Sequence, residues 1–397
     1  MTPDIDFSEI SPYSDSEFRE KMAQLVLEPG FEHAVRYIMP DVDYPAFAET
    51  LKQVPDQQHF QTEIMWPFLE MLAKKTTSDI TVGGLDIAEG AMPCTFITNH
   101  RDIVLDASFL NLCFLRRHLP TSEIAIGNNL LIYDWITDLV KLNKSFIVKR
   151  NLRITKALEA ARQLSAYIRY AINTKKESVW IAQREGRAKD SNDLTQEAVI
   201  KMLALSGGED NLAANLIPLK ITPVAISYEY DPNDYLKARE YLLKKIDPEF
   251  KKSQRDDLFS METGLLQPKG KVHFEIAPCI NSQLESLLHL TDKVEVVREV
   301  CDIINKAIHL RYRIYPINYI AYDMLNHTEE YADKYTPDEV AAFDAYITNQ
   351  LAKVELPEMA AQDHKANYEY MHSMMLTMYS NPLKNQLAAR QDSMAEV

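Results

Sequence analysis

The sequence predicts an α/β protein: a mostly parallel sheet covered by helices, with helical N-terminal and C-terminal additions. Three observations predict it. Six short β-rich runs alternate with longer helical stretches, the rhythm of parallel strands joined by crossover helices. Helical signals fill both ends of the chain. The composition, 46% hydrophobic and 25% charged with 10 glycines in 397 residues, is that of an ordinary globular protein long enough for two or three structural units, which excludes disorder, collagen-like repeats and a disulfide scaffold.

Residues 1–78 read as a helical N-terminal region, because apolar positions recur at three- and four-residue spacing through Glu32 to Met39 and again from Phe60 to Leu72. Residues 79–290 form the expected α/β core. Its runs are Thr95–Thr98, Ile124–Ile126, Ser145–Val148, Ser178–Ala182, Ile217–Ser227 and Lys271–Ile276. Residues 291–397 are expected to be helical. There Thr336-Pro-Asp-Glu supplies an N-cap threonine, a first-turn proline and a glutamate three residues on, which opens a helix through Val340 to Leu351. Met371, Met374, Met375 and Met378 make a stripe at helical spacing, either the buried face of a helix or a flexible lipid contact.

The net charge of −15 denies the whole molecule a general attraction to nucleic acid or an anionic bilayer, so an anionic partner requires a local basic patch. Between Lys141 and Lys176 ten basic residues face one acid, Glu159, and this segment could recruit an anionic substrate. Arg162, Arg169, Lys175 and Lys176 read as a solvated helix face. Cys94, Cys113, Cys279 and Cys301 lie too far apart for a Cys-x-x-Cys pair and are expected to be reduced thiols. No secretion signal or uninterrupted apolar span is seen, so the expected location is cytoplasmic, with any lipid contact peripheral.

Three strand ends carry chemistry. Asn99-His-Arg-Asp-Ile-Val-Leu-Asp106 places an imidazole after the run Phe96–Thr98, with Asp102 and Asp106 each close enough to orient it as a general base; a capping role for Asp102 is the plain alternative. Arg101 stands in the same turn. A kinase catalytic loop would need an asparagine five positions after Asp102, where Ala107 stands, and nucleophile-elbow, dinucleotide and His-Glu-x-x-His signatures are missing. Lys149-Arg150 ends the second run, and a guanidinium there suits phosphate oxygens. Gln183-Arg-Glu-Gly-Arg-Ala-Lys189 ends the third, with Gly186 expected to let backbone approach closely.

With these stations named, the sequence resembles the lysophosphatidate and glycerol-3-phosphate acyltransferase family. The resemblance runs through Asn99-His100 with Asp106, Phe146-Ile-Val-Lys-Arg150, Arg184-Glu185-Gly186-Arg187 and Ile221-Thr-Pro223-Val-Ala-Ile-Ser-Tyr-Glu229, in the family's order. Two departures stand out. Five residues separate His100 from Asp106 where the family has four, which leaves Asp106 or Asp102 as its support, and Arg184 and Arg187 alter the third block so that Lys189 could share the phosphate contact.

The resemblance implies transfer of a fatty acyl group from an acyl thioester, on acyl-CoA or acyl carrier protein, to the hydroxyl of a glycerol phosphate or lysophosphatidate. His100 and Asp106 would be catalytic. Arg150, Glu185, Gly186 and Arg187 would bind the phosphorylated lipid acceptor, with Arg101, Asp102, Lys149 and Lys189 as possible additions. No metal or other cofactor is expected, and no nucleic acid. The partners would be the acyl carrier, the acceptor and, peripherally, the inner face of the membrane. Alternatives are an O-acyltransferase for another hydroxylated lipid and an inactive acyltransferase-like binding domain.

Overall fold

The computed structural model describes residues 5–357 and 363–395. Its centre is a seven-stranded sheet of β1 (Thr77–Gly83), β2 (Thr95–Thr98), β3 (Glu123–Gly127), β4 (Ser145–Val148), β5 (Val179–Ala182), β6 (Ile221–Tyr228) and β7 (Gly270–Ile276), in the order β1-β7-β6-β2-β5-β3-β4. The five strands from β6 to β4 run parallel. β7 pairs antiparallel with β6 and parallel with β1, so those two strands run the opposite way. The fold class is therefore α/β with a mostly parallel sheet, as expected.

The strands are short and apolar because helices cover both faces: all four residues of β2 and all eight of β6 are buried. One face packs on Tyr167, Ile168, Val297 and Ile304 of the helices Ile154–Tyr170 and Lys293–His309. The other packs on Phe109, Leu110 and Phe114 of the helix Leu105–Arg116 and on Leu69 and Leu72 of Trp66–Thr76.

Two differences from the sequence reading are local. β6 begins at Ile221 rather than Ile217, because residues 217–219 form a single 3-10 turn that ends on Lys220 at φ +46. β1 has no counterpart among the expected runs: Thr77, Ser78, Asp79 and Thr81 make it polar, as an edge strand can be.

Thr336 caps the helix Pro337–Leu351 through a reciprocal pair with Glu339, as its spacing predicts. Met371 and Met375 are buried against that helix and Pro316–Asn326, with Met374 half-buried beside them and Met378 buried too, so the methionine stripe is a packing face. All four cysteines are free. No helix among the described residues is long and apolar enough to cross a membrane.

Candidate active site

The parallel strands β2, β3, β4 and β5 end on one edge of the sheet, and the turns that follow them supply the site. Asn99, directly after β2, exchanges two hydrogen bonds with the backbone of Ile226, at 2.9 and 2.8 Å, and so welds the turn to β6. His100 follows it. Its Nδ1 lies 2.8 Å from Asp106 Oδ2, and the same oxygen accepts the backbone amides of Arg101 at 2.6 Å and Asp102 at 3.1 Å. Three donors on a fully buried carboxylate oxygen fix the imidazole's orientation and its tautomer. The Nε2 edge makes no protein hydrogen bond among the described residues, and His100 lines the cavity described below.

Asp102 has a different task. Its Oδ1 accepts the amides of Val104 at 2.9 Å and Leu105 at 2.7 Å and so caps the helix that carries Asp106. Burial and the adjacent Asp106 push its carboxyl pKa up, while the nearby Lys269 opposes that shift. Lys269 is itself fully buried, and burial lowers its pKa to about 8. Arg101 points away from the cavity into a buried pair with Asp193, 2.6 and 3.0 Å at its two nitrogens, where Tyr312 also donates to Asp193. Asp102 and Arg101 are thus structural parts of the turn and do not reach the cavity.

Arg150, after β4, donates its backbone amide to Asn128 Oδ1 at 2.8 Å, and its guanidinium lies 3.7 Å from Glu185 after β5. His100, Arg150, Glu185, Gly186 and Arg187 all line one cavity, so the structure brings the three stations together. Lys149 and Lys189 reach the same cavity but are held by carboxylates, Lys149 by Glu9 at 2.6 Å and Lys189 by Glu240. Burial lowers the Lys189 pKa to about 8 against the pull of Glu240. Gly186 sits at φ +66 with open space where a Cβ would stand. Its requirement is the left-handed backbone, which corrects the expectation of close backbone approach.

The cavity has a volume of about 2110 Å³, well beyond the 300–1,000 Å³ of ordinary small-ligand sites. Its walls are mostly apolar. Phe31, Val35, Ile64 and Phe68 of the N-terminal helices face Leu258 and Met261 of the helix Gln254–Leu266 and Ala160 and Leu164 of the helix after β4. The N-terminal helices, in which the sequence shows no chemistry, are therefore part of the site's wall.

Three further residues stand in or beside the motifs without having been assigned a role from the sequence. Trp180 of β5 meets the His100 ring edge-on at 5.5 Å and lines the cavity with a buried indole Nε1 that has no hydrogen-bond partner among the described residues. Arg184, present in the third block, has a buried Nε with no hydrogen-bond partner among the described residues and lines both the main cavity and a smaller polar one of about 450 Å³ shared with Arg187, Lys189 and Lys244. Tyr228 is buried beside Asp106 and Asp102, and burial together with those carboxylates raises its pKa well above the usual phenol value. The place of Trp180 in the strand that leads into the third block and the run of cations from Arg184 were the available signals.

Among the described residues no cluster of histidine, cysteine and carboxylate side chains could hold a metal ion. The arrangement places a hydrogen-bonded histidine–aspartate pair, a rim with Arg150 and Arg187 and a large apolar volume around one cavity. No family model matches the chain, nor does any curated protein. Among solved structures it is similar to the 1-acyl-sn-glycerophosphate (LPA) acyltransferase PlsC from Thermotoga maritima, at 10% identity and a TM-score of 0.37, over 76% of this chain and 99% of that one. At that level of similarity the functional reading rests on the site's own geometry.

Proposed function

We propose that this protein is an acyltransferase that moves a fatty acyl group from an acyl thioester to the hydroxyl of a phosphorylated lipid acceptor, a glycerol phosphate or lysophosphatidate. The single observation that carries the proposal is the His100–Asp106 pair opening onto one large apolar cavity that Arg150 and Arg187 also line. In this reading His100 Nε2 takes the proton of the acceptor hydroxyl while Nδ1–H stays on Asp106. The freed oxygen attacks the thioester carbonyl. Collapse of the tetrahedral intermediate expels the thiolate, which takes the proton back from the imidazolium. The acceptor's phosphate would sit between Arg150 and Arg187, and the acyl chains would lie among the apolar walls.

The carrier would be acyl-CoA or acyl carrier protein, and the location cytoplasmic with peripheral contact to the membrane. A second reading, acylation of a non-phosphorylated hydroxylated lipid such as an acylated amino acid, is favoured by one feature: Glu185 approaches the Arg150 guanidinium and would compete with a phosphate for it. An acceptor panel assayed with one acyl thioester separates the two. The first reading expects turnover with lysophosphatidate or glycerol 3-phosphate. Turnover confined to non-phosphorylated acceptors would transfer the proposal to the second, and no thiol release with any acceptor would remove both.

A further inference from the structure

The basic segment 141–176 is less basic in three dimensions than in sequence. Lys144 pairs with Glu177, Lys149 with Glu9, Arg150 with Glu185 and Lys175 with Glu123, while Lys141 and Arg169 donate to backbone carbonyls. Arg153, Lys156 and Arg162 make no ion pair among the described residues, and all three are exposed, from the N-cap to the middle of the helix Ile154–Tyr170.

Two large apolar side chains stand in the open among them: Ile154 is 91% exposed and Leu158 50% exposed. Single exposed apolar residues are ordinary on protein surfaces. This pair is spaced i, i+4 with Arg162 at i+8, so the three share one outward face of the helix. The adjoining side of the same helix, through Ala157, Ala160, Ala161 and Leu164, lines the candidate cavity.

We propose that the first two turns of this helix are the surface by which the protein docks on an anionic lipid bilayer. An exposed apolar pair on a helix that also exposes three cations against one acid, Glu159, suits a helix that lies in the headgroup region, and local positive charge is what a protein of net charge −15 needs to approach an anionic leaflet. Continuity with the cavity favours a bilayer over a protein partner, since a lipid leaving the leaflet at this helix would meet the cavity along its adjoining side. The inference deepens the lipid reading above, yet vesicle binding is read without turnover, so either can fail alone.

The test is co-sedimentation of the full chain with phosphatidylcholine vesicles with and without phosphatidylglycerol. Wild type is expected to bind the phosphatidylglycerol vesicles and to release with salt, each facing cation being worth roughly fivefold in partitioning. Ile154→Asp with Leu158→Asp, and separately Arg153→Glu with Lys156→Glu, should each weaken binding by at least about tenfold. Thermal melting should be unchanged, because these side chains are exposed. Absence of wild-type binding, or binding as tight as wild type by either variant, would overturn the proposal. So would a wild-type dimer in light scattering that the Ile154 and Leu158 substitutions dissolve, because the face would then cover a second copy.

Discussion

Two fully buried carboxylates in this molecule carry similar hydrogen-bonding equipment and serve opposite ends. Asp106 accepts from an imidazole and two backbone amides. Asp234 accepts from Tyr346 and Tyr379 at 2.7 Å each, from Gln350 at 2.8 Å and from the amide of Tyr235 at 2.6 Å. What separates them is the partner. Asp106 holds a ring whose far edge looks into a large cavity, whereas the donors around Asp234 come from the helices Pro337–Leu351 and His364–Ala395 and tie the C-terminal region to the core. Burial dominates at Asp234 and raises its pKa to about 6 from 3.8 in spite of its donors. A buried, well-bonded carboxylate is therefore not a functional signal by itself; a titratable partner that faces a cavity is what adds one.

The largest expected effect sharpens this contrast directly. Asp106→Asn should lower acyl transfer by about 10²–10⁴-fold, since the imidazolium loses its counter-charge, while Asp234→Asn leaves turnover within about twofold. Measured kcat/KM for both variants checks it. The next effect is on stability. A carboxyl whose folded pKa is raised contributes stability that is full below its unfolded pKa and is lost as pH climbs through the folded value, here a window from about 4 to about 6. Asp234→Asn should flatten that decline, by about 2–3 kcal/mol in differential unfolding free energy.

How much of this was legible in the sequence varies with the range of the interactions. The strand ends at His100, Arg150 and Glu185 could be read because each short apolar run breaks directly into polar residues, and parallel strands collect such breaks on one edge. The choice between Asp102 and Asp106 could not be read: it depends on the turn geometry that sends Asp102 to the helix amides and Asp106 to the ring. Ion-pair partners of the basic segment, Glu9, Glu123 and Glu185, come from other elements. The N-terminal helices hide their role because Phe31 and Val35 have the same spacing whether they fill a core or line a cavity. β1 escaped because an edge strand needs few apolar residues.

Smaller effects belong to the rim. Arg150→Ala should raise the acceptor KM by roughly tenfold with little change in kcat, the size expected for one charge-assisted contact made in ground and transition states alike. It should have no such effect on a non-phosphorylated acceptor. Gly186→Ala places a side chain at φ +66 without any steric contact, so it should cost only about 1 kcal/mol of stability by chemical denaturation.

The most direct measurement is thiol release from acyl-CoA in the presence of lysophosphatidate, compared between wild type and His100→Ala at matched folding. An imidazole that deprotonates the acceptor from the wall of this cavity requires the variant to be slower by at least about 10²-fold with acyl-CoA binding retained. Equal rates in the two proteins would contradict that role for His100.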